Sequence, residues 1–193
     1  KVELKKGDAT RIDYPDGFGG SAFDANESRD ALGRLSSVTD GGSNQIAAFD
    51  LYGAGARKKK VTLANSTTAN YVWDGFRRPT DIDHKDSGGT RFAGFAYAWD
   101  KSNNPLMEER SHKSGKGDVY SYDRSNRLIK VLRDVDDPTA ELASPGTEAY
   151  DKKLDYAMDD ALNLTSYSVT PYGGSASSTS YTTNSMNEYT VVG

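Results

Sequence analysis

Residues 120–131 read "YSYDRSNRLIKV": tyrosines at the alternate positions 120 and 122, an acid at 123, a polar run, then apolar residues again. Side chains two apart on a strand project from the same face, so Tyr120 and Tyr122 share one. An aspartate directly behind such a pair can accept backbone N–H bonds from two residues on, an Asx-turn that ends the strand. The reading depends on whether the pattern recurs.

It does. Phe49 precedes Asp50 in "IAAFDLYGAG", Tyr71 and Trp73 precede Asp74 in "YVWDGFRRP", and Tyr97 and Trp99 precede Asp100 in "YAWDKSNNP". Tyr156 and Met158 precede Asp159 in "YAMDDALNL", and "YTTNSMNEY" is a degenerate copy with Tyr181 and then Asn184 in the acid's place. Near the start, "DALGRL" supplies the second half of the unit at Asp30, Gly33, Arg34 and Leu35, its aromatic half being absent or displaced to Phe23-Asp24. Anchors at 24, 50, 74, 100, 123, 159 and 184 are separated by 26, 24, 26, 23, 36 and 25 residues. A self-similar period of this length is the mark of a repeat architecture.

Three positions after the acid stand Gly33, Gly53, Asn103, Asn126 and Asn187. Gly and Asn best tolerate the positive φ that closes a short hairpin loop. Arg77 and Leu162 occupy the corresponding positions elsewhere, which predicts a different turn type there. A second apolar run follows each turn, as in Leu128-Ile129-Val131. Each unit therefore predicts a β-hairpin whose aspartate (Asp30, Asp50, Asp74, Asp100, Asp123, Asp159, with Asn184 as a substitute) builds the turn.

Composition agrees with an all-β chain. Of 193 residues only 35% are hydrophobic, yet twelve Tyr, six Phe and two Trp keep the chain out of the disordered class. A mean hydropathy of −0.74 is low for a deep core. The net charge of −4 argues against nucleic acid as the main partner. The basic run Arg57-Lys58-Lys59-Lys60 reads as a solvated strand flank or edge guard. With no cysteine, disulfides and thiol chemistry are excluded. No apolar run reaches the ~20 residues of a membrane-spanning helix. No signal peptide is present and the first residue is Lys1, so the chain reads as a processed or excised piece.

These motifs resemble the YD repeats of Rhs-type proteins, whose unit runs roughly Y-x-Y-D-x-x-G-R-L. "YSYDRSNRL" fits with Asn126 in place of Gly, and "DALGRL" fits the second half. The resemblance covers most of residues 23–193. It implies consecutive hairpins joined edge to edge into a curved, twisted strip of sheet, as in Rhs shells, insecticidal toxin complexes and teneurins. It also implies a structural or encapsulating role around a toxin cargo, on secreted or surface-exposed proteins, and an association with carbohydrate. The chain departs from the family in lacking its C-terminal self-cleavage motif; "DDPTAEL" at 136–142 is a superficial echo. Roughly fifteen strands at ~4.8 Å spacing give a strip of about 70 Å, a piece of wall rather than a closed cage.

The expected organisation is a lead-in over 1–22, repeat hairpins over 23–133, an acidic Pro-containing insertion loop over 134–153 with a short helix near "TAEL", and further hairpins over 154–193. "GGSASSTS" at 173–180 reads as a flexible connector. Around His84, Asp81, Asp83 and Asp86 form either a solvated inter-repeat loop or a weak cation site, although the ligand series of an EF-hand is missing. Asn26, Asn65 and Asn163 begin N-glycosylation patterns. No catalytic motif is present, so the expectation is a non-enzyme without cofactor. The leading function is a wall-building strip whose open edges pair with further repeats or other copies. The alternative is a carbohydrate-binding module using Phe49, Tyr71, Trp73, Tyr97, Trp99, Tyr120, Tyr122, Tyr156 and Tyr181; an enzyme built on an unidentified carboxylate pair is the third reading.

Overall fold

The computed structural model describes residues 2–5, 8–14, 23–53, 55–184, 186 and 188–192. The chain divides into two compact units, Lys1–Gly94 and Phe95–Gly193.

The first unit contains β1 (Val2–Lys5), β2 (Asp8–Tyr14), β3 (Phe23–Arg29), β4 (Leu35–Asp40), β5 (Gln45–Leu51), β6 (Lys58–Leu63), β7 (Thr68–Trp73) and β8 (Pro79–Lys85). Each strand pairs antiparallel with the next. Register sorts the side chains into two faces, because directly opposed residues project the same way. Ala47 opposes Leu63, Phe49 opposes Val61, Val61 opposes Ala69 and Tyr71 opposes Ile82, which gives one apolar face. Asp50 opposes Lys60, Lys60 opposes Asn70 and Asn70 opposes Asp83, which gives a polar one. The period-two alternation of the sequence is thus converted into a two-faced antiparallel sheet.

The second unit holds β9 (Arg91–Trp99, which begins in the first), β10 (Pro105–Arg110), a 3-10 turn at Ser111–Lys113, β11 (Gly117–Tyr122), β12 (Leu128–Val135), α1 (Pro138–Ala143), β13 (Lys152–Met158), β14 (Leu164–Pro171), β15 (Ser177–Thr183) and β16 (Tyr189–Val192). Again each strand pairs antiparallel with its successor. Gly117 is fixed by close approach: a Cβ there would lie 1.8 Å from the Glu108 carbonyl oxygen.

Most side chains are only half-buried, as expected where one layer of sheet supplies no second layer to pack against. The exception is the insertion. Expected as a loop, it folds back over the sheet. Met107 opposes both Ala98 and Val119, and Val119 opposes Leu132, so these lie on one face. Met107, Val119, Leu132 and the fully buried Val135 (0% exposed) form a core against which Ala98, Leu142 and Tyr150 pack. Leu142 is in the helix near "TAEL" that the sequence suggested. Asp137 caps that helix by accepting from the Ala140 N–H, with Pro138 at its first position. The buried Glu141 accepts from the N–H groups of Gly146, Thr147 and Glu148, which closes the following loop.

The stretch 173–180 also differs from expectation. Ser177–Thr183 is a strand, paired with β14 through Ser166–Ser180 and Val169–Ser177, so only residues near 173–176 connect. Serine-rich sequence can pair through its backbone when a neighbour offers a free edge.

Candidate functional site

The repeated turn is the structural unit of the chain. At Asp123 the backbone N–H donates to the Arg127 carbonyl (3.0 Å), and the Asn126 N–H donates back to the Asp123 carbonyl (3.1 Å). Asp123 Oδ1 accepts from the N–H groups of Ser125 (2.8 Å) and Arg127 (3.0 Å), while Oδ2 pairs with the Arg127 guanidinium. Asn126 takes φ 61°. One carboxylate therefore satisfies the donors that the turn would leave unpaired.

Asp30, Asp74, Asp100 and Asp159 hold the same arrangement with residues two and four further on. Asn184 replaces the acid with the same two acceptor bonds, to Met186 and Glu188. Asn187, expected in that turn, lies outside the described residues. Gly33 and Asn103 take φ 77° and 69°. The expectation that the turns of Arg77 and Leu162 differ in type is corrected: both residues take the same left-handed conformation, φ 69° and 70°. The paired carboxylate and the two flanking strands impose it on side chains that would avoid it.

Asp50 requires a further correction. It sits within β5, exposed and opposite Lys60, and its loop is instead closed by the Tyr52 N–H donating to the Arg57 carbonyl (3.0 Å). Tyr52 thus stands where the other turns have their acid, in a loop one residue longer, with Gly53 at φ 44°. Two further clasps escaped the motif. Asp40 accepts from Gly42 and Asn44, and Asp86 from Gly88 and Thr90. The spacing in "DGGSN" and "DSGGT" carries the signal, but no aromatic pair precedes either acid.

Asp86 is therefore a turn residue, its Oδ1 engaged by the N–H groups of Gly88 and Thr90. Asp81 and Asp83 pair with Arg91, and Asp83 also with Lys85. Among the described residues no three His, Asp or Glu side chains come together as a metal site. His84 packs against Phe92 and His112 against Phe95.

The carboxylates of Asp30, Asp40, Asp74, Asp123 and Asp159 are held below their ordinary value. For Asp74 and Asp123 the largest cause is the backbone N–H of Arg78 or Arg127; for Asp30, Asp40 and Asp159 it is the side chain of Arg34, Asn44 or Asn163.

Neighbouring turns are tied to one another within each unit. In the first, Arg34 pairs with Asp30 and also donates to the carbonyls of Gly53 and Gly55, and Trp73 Nε1 donates to the Lys58 carbonyl at 2.8 Å. In the second, Asn104 Nδ2 donates to Asn126 Oδ1 and Arg127 Nη1 to the Asp159 carbonyl, both at 2.9 Å. The Tyr189 hydroxyl accepts from the Leu164 N–H.

The motif aromatics form ladders on one face. Tyr71 stacks on Trp73, Phe95 on Tyr97, Tyr97 lies beside Trp99, and Tyr156 faces Tyr167 across a strand pair. Tyr181 meets Tyr189 edge-on. Phe49 carries the Lys58 ammonium 5.5 Å from its ring centre. Tyr120 and Tyr122 share their face with Asp118, and burial raises both phenols, Tyr120 to about 12. Beside them lies a charged cluster that no sequence motif signals. Asp118 (1% exposed) pairs with Arg110 at 2.5 Å and Arg133 at 3.2 Å, and accepts from the Asp134 N–H; Arg110 also meets Glu108 and Asp134. Such a buried acid is tolerable only when paired this fully.

Neither a protein-family model nor a curated protein sequence matches the chain. Solved structures of toxin complexes are similar in fold. TcdB2-TccC3 without its hypervariable C-terminal region superposes with a TM-score of 0.55 at 15% identity, covering 89% of this chain and 10% of that one. TcdB2-TccC3-Cdc42 gives 0.54 at 14% identity over 88% and 10%, and the Tc holotoxin pore of Photorhabdus luminescens 0.54 at 15% over 89% and 10%. The chain thus spans about a tenth of those chains' length, and shares with them the consecutive-hairpin fold that the YD-repeat resemblance implied.

Proposed function

We propose that the chain is a wall-building segment of an Rhs-type YD-repeat protein, forming part of a secreted or surface shell that encloses a toxin cargo. The observation that carries this reading is the tie between successive turns. Arg34, Asn104 and Arg127 each bond their own turn and the next one along. A device that fixes hairpin to hairpin serves an extended wall, and the fold shared with toxin-complex structures supports the same role. The protein performs no chemistry in this reading: its turn carboxylates are engaged by backbone N–H groups, and Asp118 by two arginines. The partners are further repeats of a longer chain or other copies, pairing along the sheet edges. No feature of the site favours the carbohydrate-binding alternative over this one.

Negative-stain electron microscopy of the purified chain, and of the same chain within a longer natural polypeptide, tests the proposal. Walls, shells or filaments are expected. Isolated small particles in both samples would overturn it.

A further inference from the structure

The turn closed by Tyr52 and Arg57 lacks a feature that three of the other motif turns share. In those of Asp30, Asp74 and Asp123, the arginine that closes the loop pairs with the turn's own carboxylate. Here Tyr52 occupies the acid's position, and neither Arg57 nor Lys58 joins an ion pair among the described residues. A hollow lies directly beside them. Two open clefts of about 470 and 370 Å³ share Ala56 and Lys58 in their linings; one is also walled by Arg57, Tyr71 and Trp73, the other by Arg34, Phe49 and Leu51. Each has the volume of a small-molecule site.

The walls are suited to a flat ring. Tyr71 and Trp73 are stacked at 6.3 Å with 23° between their planes. The indole N–H is already bonded to the Lys58 carbonyl, which fixes the ring's orientation without a ligand. The Lys58 ammonium lies over Phe49, and Lys58 lines both clefts. Two cations without an ion-pair partner among the described residues, on a chain of net charge −4, mark a local positive site that attracts anions.

We propose that this trough binds a ring-bearing organic anion, its carboxylate or equivalent group replacing at Arg57 and Lys58 the aspartate that the turn lacks, and its ring lying against Tyr71 and Trp73. This is a ligand site independent of the wall-building role.

The test follows the two indole N–H resonances of the 15N-labelled chain while 2-naphthoate is added, with uncharged 2-naphthylmethanol as the control. Trp73 is expected to shift saturably with naphthoate while Trp99 stays fixed. The alcohol is expected to bind about fivefold more weakly, the upper end for one exposed ion pair. Arg57→Gln should produce a similar loss. Tyr52→Asp, which restores an internal carboxylate, should abolish the preference for the anion. Equal affinity for acid and alcohol, an equal response from Trp99, or unchanged naphthoate binding in Arg57→Gln would each overturn the proposal.

Discussion

Arg127 Nη1 donates to the main-chain carbonyl of Asp159 at 2.9 Å, although 32 residues separate the two along the chain. The same guanidinium pairs with Asp123 in its own turn. The insertion between β12 and β13 therefore leaves neighbouring motif turns in register: it leaves from the other end of the strands, and Val131 still opposes Leu154. The clasp and the tie are one side chain, which is why an arginine suits this position better than a point charge.

Replacing Arg127 by Lys keeps the charge but loses the fork that serves both partners. The variant is expected to lose about 1–2 kcal/mol. A lower urea midpoint at unchanged slope would show it; an unchanged midpoint would mean the tie contributes nothing.

Acid should loosen the turns. Asp30, Asp40, Asp74, Asp123 and Asp159 are all held below the ordinary value of 3.8 in the folded chain. A lowered folded value means the unfolded chain binds protons first as pH falls, so the stabilisation is present above 3.8 and is lost as pH drops through the folded values. Thermal melts across pH 2–5, a window of about that range around the ordinary carboxylate value, should show the decline below 3.8. In Asp74→Asn the decline should be shallower.

At the alkaline end Tyr120 acts with the opposite sign. Burial, then the charges of Asp118 and Glu108, push its phenol up to about 12. A raised folded value stabilises below the unfolded value of 10 and is lost as pH rises through 12. Absorbance titration of the tyrosinates should show a late-ionising phenol that disappears in Tyr120→Phe. If wild type and variant share the same late phase, another tyrosine is responsible.

Val135 is fully buried between the sheet and the insertion. Val135→Ala should cost about 1–3 kcal/mol through lost burial and the cavity left behind. Denaturant unfolding measures it, and a cost near zero would show that the insertion does not cover a working core.

The strained turn positions can be relieved. Leu162 is held at φ 70° with its side chain 67% exposed, so it stores backbone strain without compensating burial. Leu162→Gly should stabilise by about 0.5–1 kcal/mol, strain relief of 1–2 outweighing the entropy cost of glycine. Gly33→Ala, at φ 77° with open space around it, should destabilise by a similar amount. Differential scanning calorimetry of both variants checks the pair, and shifts of the same sign would refute the argument.

The hairpin array was legible because its signals are local. Tyr120, Tyr122 and Asp123 are adjacent, and the clasp reaches no further than Arg127. Where the local signal weakened, the reading slipped: Phe49-Asp50 looked like a motif, yet register gave the acid's role to Tyr52. Asp40 and Asp86 were missed because their turns lack the aromatic half. The charged cluster could not be read at all, since Arg110, Asp118 and Asp134 are unremarkable until the sheet aligns them.

Local sequence is enough for the succession of hairpins, through alternation of period two and a carboxylate that satisfies N–H groups two and four residues on. The assembled sheet is needed for the insertion to cover Met107, Val119 and Leu132, for Asp118 to be buried between Arg110 and Arg133, and for Arg127 to reach the Asp159 turn. The physical reason is distance along the chain. A turn is closed by residues that are already neighbours, whereas burial and long-range pairing depend on which strand faces which, and that is fixed only when the sheet has formed.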